Sequence, residues 1–204
     1  TFLQKANPSK EEFSKAFEYA MAGDNIGDAL SSYVLGEASY QGLGTLKDGP
    51  RASYYFNRAS NRGHDYATFR IGMLNFYGMP GISINVQKGI ALLKQASDKN
   101  TVDASFALGQ VYLNGHQGVP VDLDAAARFF TRGAQLNDPK GHFGLFELYT
   151  KSDFRNRQGS KEFALKSLQQ AAKAGYPPAQ HEYGYAIQNG TLVTADTAAS
   201  IPWF

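Results

Sequence analysis

A chain of 204 residues, 43% hydrophobic and 19% charged, has the make-up of a folded protein rather than a disordered one. A net charge of +2 with no block of like charges excludes a strong global pull toward nucleic acid or a membrane surface. The absence of cysteine excludes disulfide staples and thiolate zinc sites, and no apolar run approaches the ~20 residues of a membrane span.

Residues 9–25 read as a single helix with Ser9 as its N-cap. After it a pattern of two short helices around a Gly/Pro loop recurs. One anchor is Leu35-Gly36, repeated as Ile71-Gly72, Leu108-Gly109, Leu145-Phe146 and Tyr183-Gly184. A second anchor is a small residue with a bulky pair three and four positions on: Ala52 with Tyr55-Phe56, Gly89 with Leu92-Leu93, and Ala126 with Phe129-Phe130. Weaker copies are Ala164 with Ser167-Leu168 and Ser200 with Trp203-Phe204. Two anchors in step define repeats near 28–63, 64–100, 101–137 and 138–175, with a partial repeat over 176–204. Residues 9–25 are then the second helix of a repeat whose first helix is missing. A chain opening on Thr1 without a basic-then-apolar leader is expected to be a segment of a longer protein.

In the third repeat, Ala104, Leu108 and Tyr112 lie at i, i+4 and i+8 on one helical stripe. A mid-helix glycine costs about 1 kcal/mol relative to alanine. Its recurrence at Gly36, Gly72, Gly109 and Gly184 implies close helix approach. Asp48, Asn85, Asp122, Ser160 and Asp196 are the expected N-caps of the second helices. Gly63, Asn100, Asn137 and Gly175 are the expected left-handed ends. Strand signals are poor; the one short candidate, 82–86, lies in a loop. These features predict an all-α fold, an α/α superhelical solenoid of stacked helix-turn-helix repeats with a concave and a convex face.

The run LGQVYLNGHQGV followed by DLDAAARFFTRGAQ, within 101–137, resembles a Sel-one-like repeat, a relative of the tetratricopeptide repeat with a longer inter-helix loop. The resemblance covers nearly the whole chain and is weakest in 138–175, where Phe146 and Ser152 replace the two glycines. It implies an adaptor that takes a protein or peptide on its concave face, in a bacterial envelope signalling, polarity or regulatory setting. A periplasmic location is favoured over a cytoplasmic one. The alternatives it leaves open are an envelope module binding glycan or cell-wall material and a weak penicillin-binding or hydrolysing enzyme.

The residues themselves point to no chemistry. His64, His116, His142 and His181 have no metal-ligand spacing, and no HExxH, GxSxG or P-loop occurs. Glu11-Glu12 suits the first turn of a helix, and Asn189-Gly190-Thr191 is a formal glycosylation sequon. No cofactor, nucleic acid or membrane insertion is expected. The expected partners are a protein or peptide, together with end-to-end self-association through open solenoid ends.

A column of aromatics, Tyr33, Phe69, Phe106 and Phe143, with His181 at the last position, keeps the repeat period. It reads first as inter-repeat packing. Met73 and Phe76 stand out, because other copies carry polar residues at one or both of these places. By analogy with tetratricopeptide solenoids, the candidate groove comprises Tyr33, Tyr40, Tyr66, Phe69, Met73, Phe76, Phe106, Gln110 and Leu113, with Tyr66, Met73 and Phe76 expected to be exposed.

Overall fold

A computed structural model describes residues 9–192 and 196–203. Helices run in the expected order: α1 Lys10–Asn25, α2 Ala29–Gln41, α3 Gly49–Asn61, α4 Asp65–Tyr77, α5 Val86–Asp98, α6 Val102–Asn114, α7 Leu123–Gln135, α8 Pro139–Lys151, α9 Ser160–Lys173, α10 Pro177–Asn189 and α11 Thr197–Ser200. Among the described residues there is no sheet. Residues 82–86 contribute only Ile82, in an isolated bridge to Met79. The protein is all-α, built of tandem helix-turn-helix repeats. The chain forms two units, Thr1–Thr101 and Val102–Phe204.

Local chemistry sets each boundary. Ser9 and Glu12 form a capping box at the start of α1: Glu12 N–H donates to Ser9 Oγ (3.2 Å) and Ser9 N–H to the Glu12 carboxylate (2.8 Å). Each hairpin is joined to the next by a left-handed residue, Gly27, Gly63, Asn100, Asn137 or Gly175. The following N–H turns back onto the helix just ended, as in His64 to the Ala59 carbonyl (2.9 Å) and Tyr176 to the Ala171 carbonyl (3.1 Å). That bond satisfies a carbonyl the helix end would leave orphaned.

Within hairpins the loop is closed by a second recurring bond. The N–H of Asp48, Asn85, Asp122 and Asp196 donates to the carbonyl of Ser39, Asn75, Tyr112 and Ile187, at 2.7–2.9 Å. The same four side chains accept from Arg51, Lys88, Ala125 and Ala199 N–H groups, as N-caps. Ser160 departs from expectation. The N-cap of α9 is Gly159, and Ser160 is the first helical residue, its hydroxyl donating to the Phe154 and Arg157 carbonyls. The cause is a 3-10 turn, Asp153–Asn156, which drives Phe154 into the core (3% exposed) and leaves Ser160 to tie down its carbonyls.

In unit 1, Ala52, Phe56 and Ala59 of α3 pack against Ala67, Ile71 and Leu74 of α4. In unit 2, one cluster centres on Phe130, Leu145, Leu148 and Phe154, and another on Phe146, Leu168 and Ala171. The mid-helix glycines do mark close approach. A Cβ on Gly36 would lie 2.5 Å from the Phe56 ring, and one on Gly109 would lie 2.3 Å from the Phe130 ring.

Candidate partner-binding face

The first helices α2 and α4 of unit 1 share a half-buried polar and aromatic face. Tyr33, Glu37 and Tyr40 follow at i, i+4 and i+7 on α2; Tyr66, Arg70 and Met73 do so on α4. That spacing puts each set along one side of its helix. At the centre Arg70 Nε lies 2.5 Å from Glu37 Oε1, and Arg70 Nη2 donates to Glu37 Oε2 (3.1 Å). The Gln41 amide also donates to Glu37 Oε2 (2.8 Å). The Arg70 guanidinium lies over the Tyr40 ring, 4.3 Å from its centroid, and 5.6 Å from that of Phe56. A delocalised, weakly hydrated guanidinium suits this stacked position, which lysine would fill poorly. Tyr33 stacks on His64 (4.3 Å between centroids) and meets Tyr66 edge-on (5.9 Å). Burial, with Glu37 close by, raises the Tyr33 phenol well above its ordinary range, so it stays protonated.

Two of the expected groove residues here belong to the core. Phe76 is fully buried and Phe69 is 7% exposed, so the expectation of an exposed Phe76 is corrected. The reason lies on α5, which approaches α4 so closely that a Cβ on Gly89 would stand 2.8 Å from the Phe76 backbone nitrogen. Tyr33, Tyr40, Tyr66 and Met73 remain half-buried on the face.

In unit 2, Phe106, Gln110 and Leu113 are also half-buried. Phe106 and Leu113 pack against the Phe130 cluster, with the Phe106 and Phe130 rings 5.9 Å apart. Gln110 donates to Glu147 of α8 (2.6 Å), and Lys140 pairs with Asp103. Of the aromatic column, Phe69 belongs to the core, and the Tyr33 and Phe106 rings pack against Phe56 and Phe130. The polar contacts between neighbouring first helices, Glu37–Arg70 and Gln110–Glu147, give the face its chemistry.

Among the described residues no group of three or more His, Cys, Asp or Glu is placed to hold a metal ion. His64 is taken up by its stack on Tyr33, and burial lowers the pKa of His142 below the ordinary histidine value. Sequence reasoning missed the cluster around Asp24, a residue only 3% exposed. It meets Arg62 Nη1 at 2.6 Å and Arg58 Nε at 3.1 Å, and accepts from the Ser32 hydroxyl at 2.7 Å. One signal was present. Asp24 is charged where the repeat spacing puts Ser60 and Ser97 in the next two joints.

The Sel1 repeat matches residues 29–64, 65–101, 102–138 and 177–204. The chain belongs to the Sel1 repeat family. The stretch 139–176, outside the matched segments, still contains the helix pair α8 and α9. The chain carries tandem Sel1 repeats, a family whose solenoids typically serve as protein-interaction scaffolds. It is 25% identical over 177 residues to chitin synthase regulatory factor 3 of Schizosaccharomyces pombe, covering 84% of this chain and 19% of that protein. The chain therefore spans about a fifth of that relative's length. A Sel1 repeat protein of Oxalobacter formigenes superposes with a TM-score of 0.81 at 22% identity, covering 94% of this chain and 77% of the other. A protective antigen of uropathogenic Escherichia coli with an SLR fold gives 0.79 at 22% identity, covering 94% and 40%. At that identity the structural likeness speaks to fold.

Proposed function

We propose that this Sel1 array is an adaptor that docks a protein or peptide partner on its first-helix face, the concave side in solenoids of this kind, with the α2–α4 face of unit 1 as the main platform. One observation carries the reading: Tyr33, Tyr40, Tyr66 and Met73 stay half-buried around the Glu37–Arg70 pair instead of closing over it. Rigid aromatic rings and an arginine are the side chains that most often anchor protein interfaces. A regulatory role is supported by the name of the fission-yeast relative. The envelope setting and periplasmic placement rest on the family resemblance, end-to-end self-association on the open ends of a solenoid, and all belong to the same proposal. Fractionation of the native host and sedimentation at rising concentration test them.

The decisive experiment is cross-linking in the native host with partner identification, comparing the wild type with the Arg70→Ala/Met73→Ala double variant. The double variant is expected to lose the partner while its helical circular dichroism stays unchanged. An undiminished partner yield in that variant would remove the platform from the reading. Binding of cell-wall fragments in place of any protein would replace the adaptor with a glycan-binding module.

A further inference from the structure

Where the loops of the first two hairpins meet, unit 1 holds a cleft of about 600 Å³, lined among others by Tyr40, Gln41, Lys47, Met79 and Pro80. Its size is that of a pocket able to take a large side chain with its flanking backbone. The walls are apolar at Met79, at Pro80 and on the Tyr40 ring. Its polar groups include the Lys47 ammonium, the Tyr40 hydroxyl and the Gln41 amide. Lys47 is exposed and makes no ion pair or hydrogen bond with a described residue. The Tyr40 hydroxyl is likewise without a described partner, although its ring is held under Arg70. Gln41 spends its amide on Glu37 and keeps its carbonyl oxygen for an incoming N–H. Among the described residues no acid lines the cleft. Tyr40 belongs both to the cleft and to the α2–α4 face, so one extended chain can occupy the two together.

We propose that this cleft takes an acidic peptide segment of the partner, an aromatic or large aliphatic side chain seated against Met79 and Pro80, with its neighbouring carboxylate on Lys47 and the Tyr40 hydroxyl. Charge complementarity chooses the occupant: the central Arg70 is already neutralised by Glu37, and among the described residues Lys47 is the cation at the cleft that no acid pairs. The proposal rests on the adaptor reading above and names the partner's chemistry.

The test pans a displayed library of random linear peptides on the full 204-residue chain, then titrates synthetic copies of the enriched sequences by fluorescence anisotropy. The enriched peptides are expected to carry Asp or Glu beside an aromatic or aliphatic residue. Lys47→Glu should weaken them about fivefold or more, the scale of a partly exposed charge contact. Replacing the peptide's acid by lysine should restore binding to that variant. Tyr40→Phe, which removes only a hydroxyl, should weaken binding less. Both variants should keep wild-type circular dichroism, because neither the Lys47 ammonium nor the Tyr40 hydroxyl makes a hydrogen bond or ion pair with a described residue. Enrichment of peptides without an acid, or indifference to Lys47→Glu, overturns the proposal. Peptides that respond to Arg70→Ala and ignore Lys47→Glu would leave the adaptor reading standing and sink the cleft. Failure to enrich any peptide counts against both. Phenylacetate binding as tightly as the peptides would make the occupant a small carboxylate and reject the proposal.

Discussion

Asp24 shows how a single side chain can fasten one repeat to the next. Its carboxylate lies near the end of α1, and the arginines that neutralise it, Arg58 in α3 and Arg62 just beyond its end, come one repeat later. Taking a carboxylate out of water is costly unless it is paired and hydrogen-bonded, and here Ser32 and both arginines share that task. The arginine side chains stay 33% and 24% exposed, so they can rehydrate when the acid is lost. Asp24→Ala is therefore expected to lower stability by about 2 kcal/mol, below the range for a wholly buried pair. Urea denaturation followed by circular dichroism measures it. Phe76 and Met73 give a second contrast. Phe76→Ala should destabilise by about 3–5 kcal/mol as a fully buried aromatic, while half-buried Met73→Ala should cost clearly less than the 2–5 kcal/mol typical of a core methionine. Equal melting temperatures for the two variants would contradict the burial described above.

At the scale of helices, Phe130 of α7 sits between two first helices that both give way to it. A Cβ on Gly109 of α6 would come within 2.3 Å of its ring, and one on Gly144 of α8 within 2.2 Å. Glycine to alanine in a helix normally gains about 1 kcal/mol. At Gly144 overpacking, worth about 1–3 kcal/mol, should win, so Gly144→Ala is expected to melt earlier than wild type. Adding Phe130→Leu should recover part of the loss by making room. The second repeat shows that solution already in place, with Leu93 facing Gly72 at a milder 3.0 Å. The fourth repeat redistributes the bulk differently, with Phe146 on the first helix and Leu168 on the second, both in one core cluster. Phe146 was legible as a departure from the pattern, and so were most caps and all four expected left-handed ends, because each depends on residues a few positions apart. Ser160 was not, since its role follows from a 3-10 turn that moves the cap one residue back. Nor was the burial of Phe76, which is decided by Gly89 on another helix. The Arg70–Glu37 pair spans 33 residues, and nothing within either helix announces it.

For the molecule as a whole, the sequence gives a dependable account of repetition and a thin one of recognition. Period, helix order and family follow from spacing that recurs. The proposed platform and cleft depend on residues that break the recurrence: Arg70 where the other complete repeats carry Val34, Ala107 and Gly144, and Lys47 in a loop one residue shorter than those that follow α4 and α6. The closing bonds from the Asp48, Asn85, Asp122 and Asp196 amides offer a way to follow four of the five copies separately. Each bond forms only when its own hairpin is shut, so each amide is a reporter of one repeat. In a hydrogen-exchange experiment these four signals are expected to be protected well beyond neighbouring loop amides, each with its own opening free energy. A ligand gripping the first two hairpins should slow exchange at Asp48 and Asn85 and leave Asp122 nearly unchanged. The array would then carry its own gauge of where along its length a partner has taken hold.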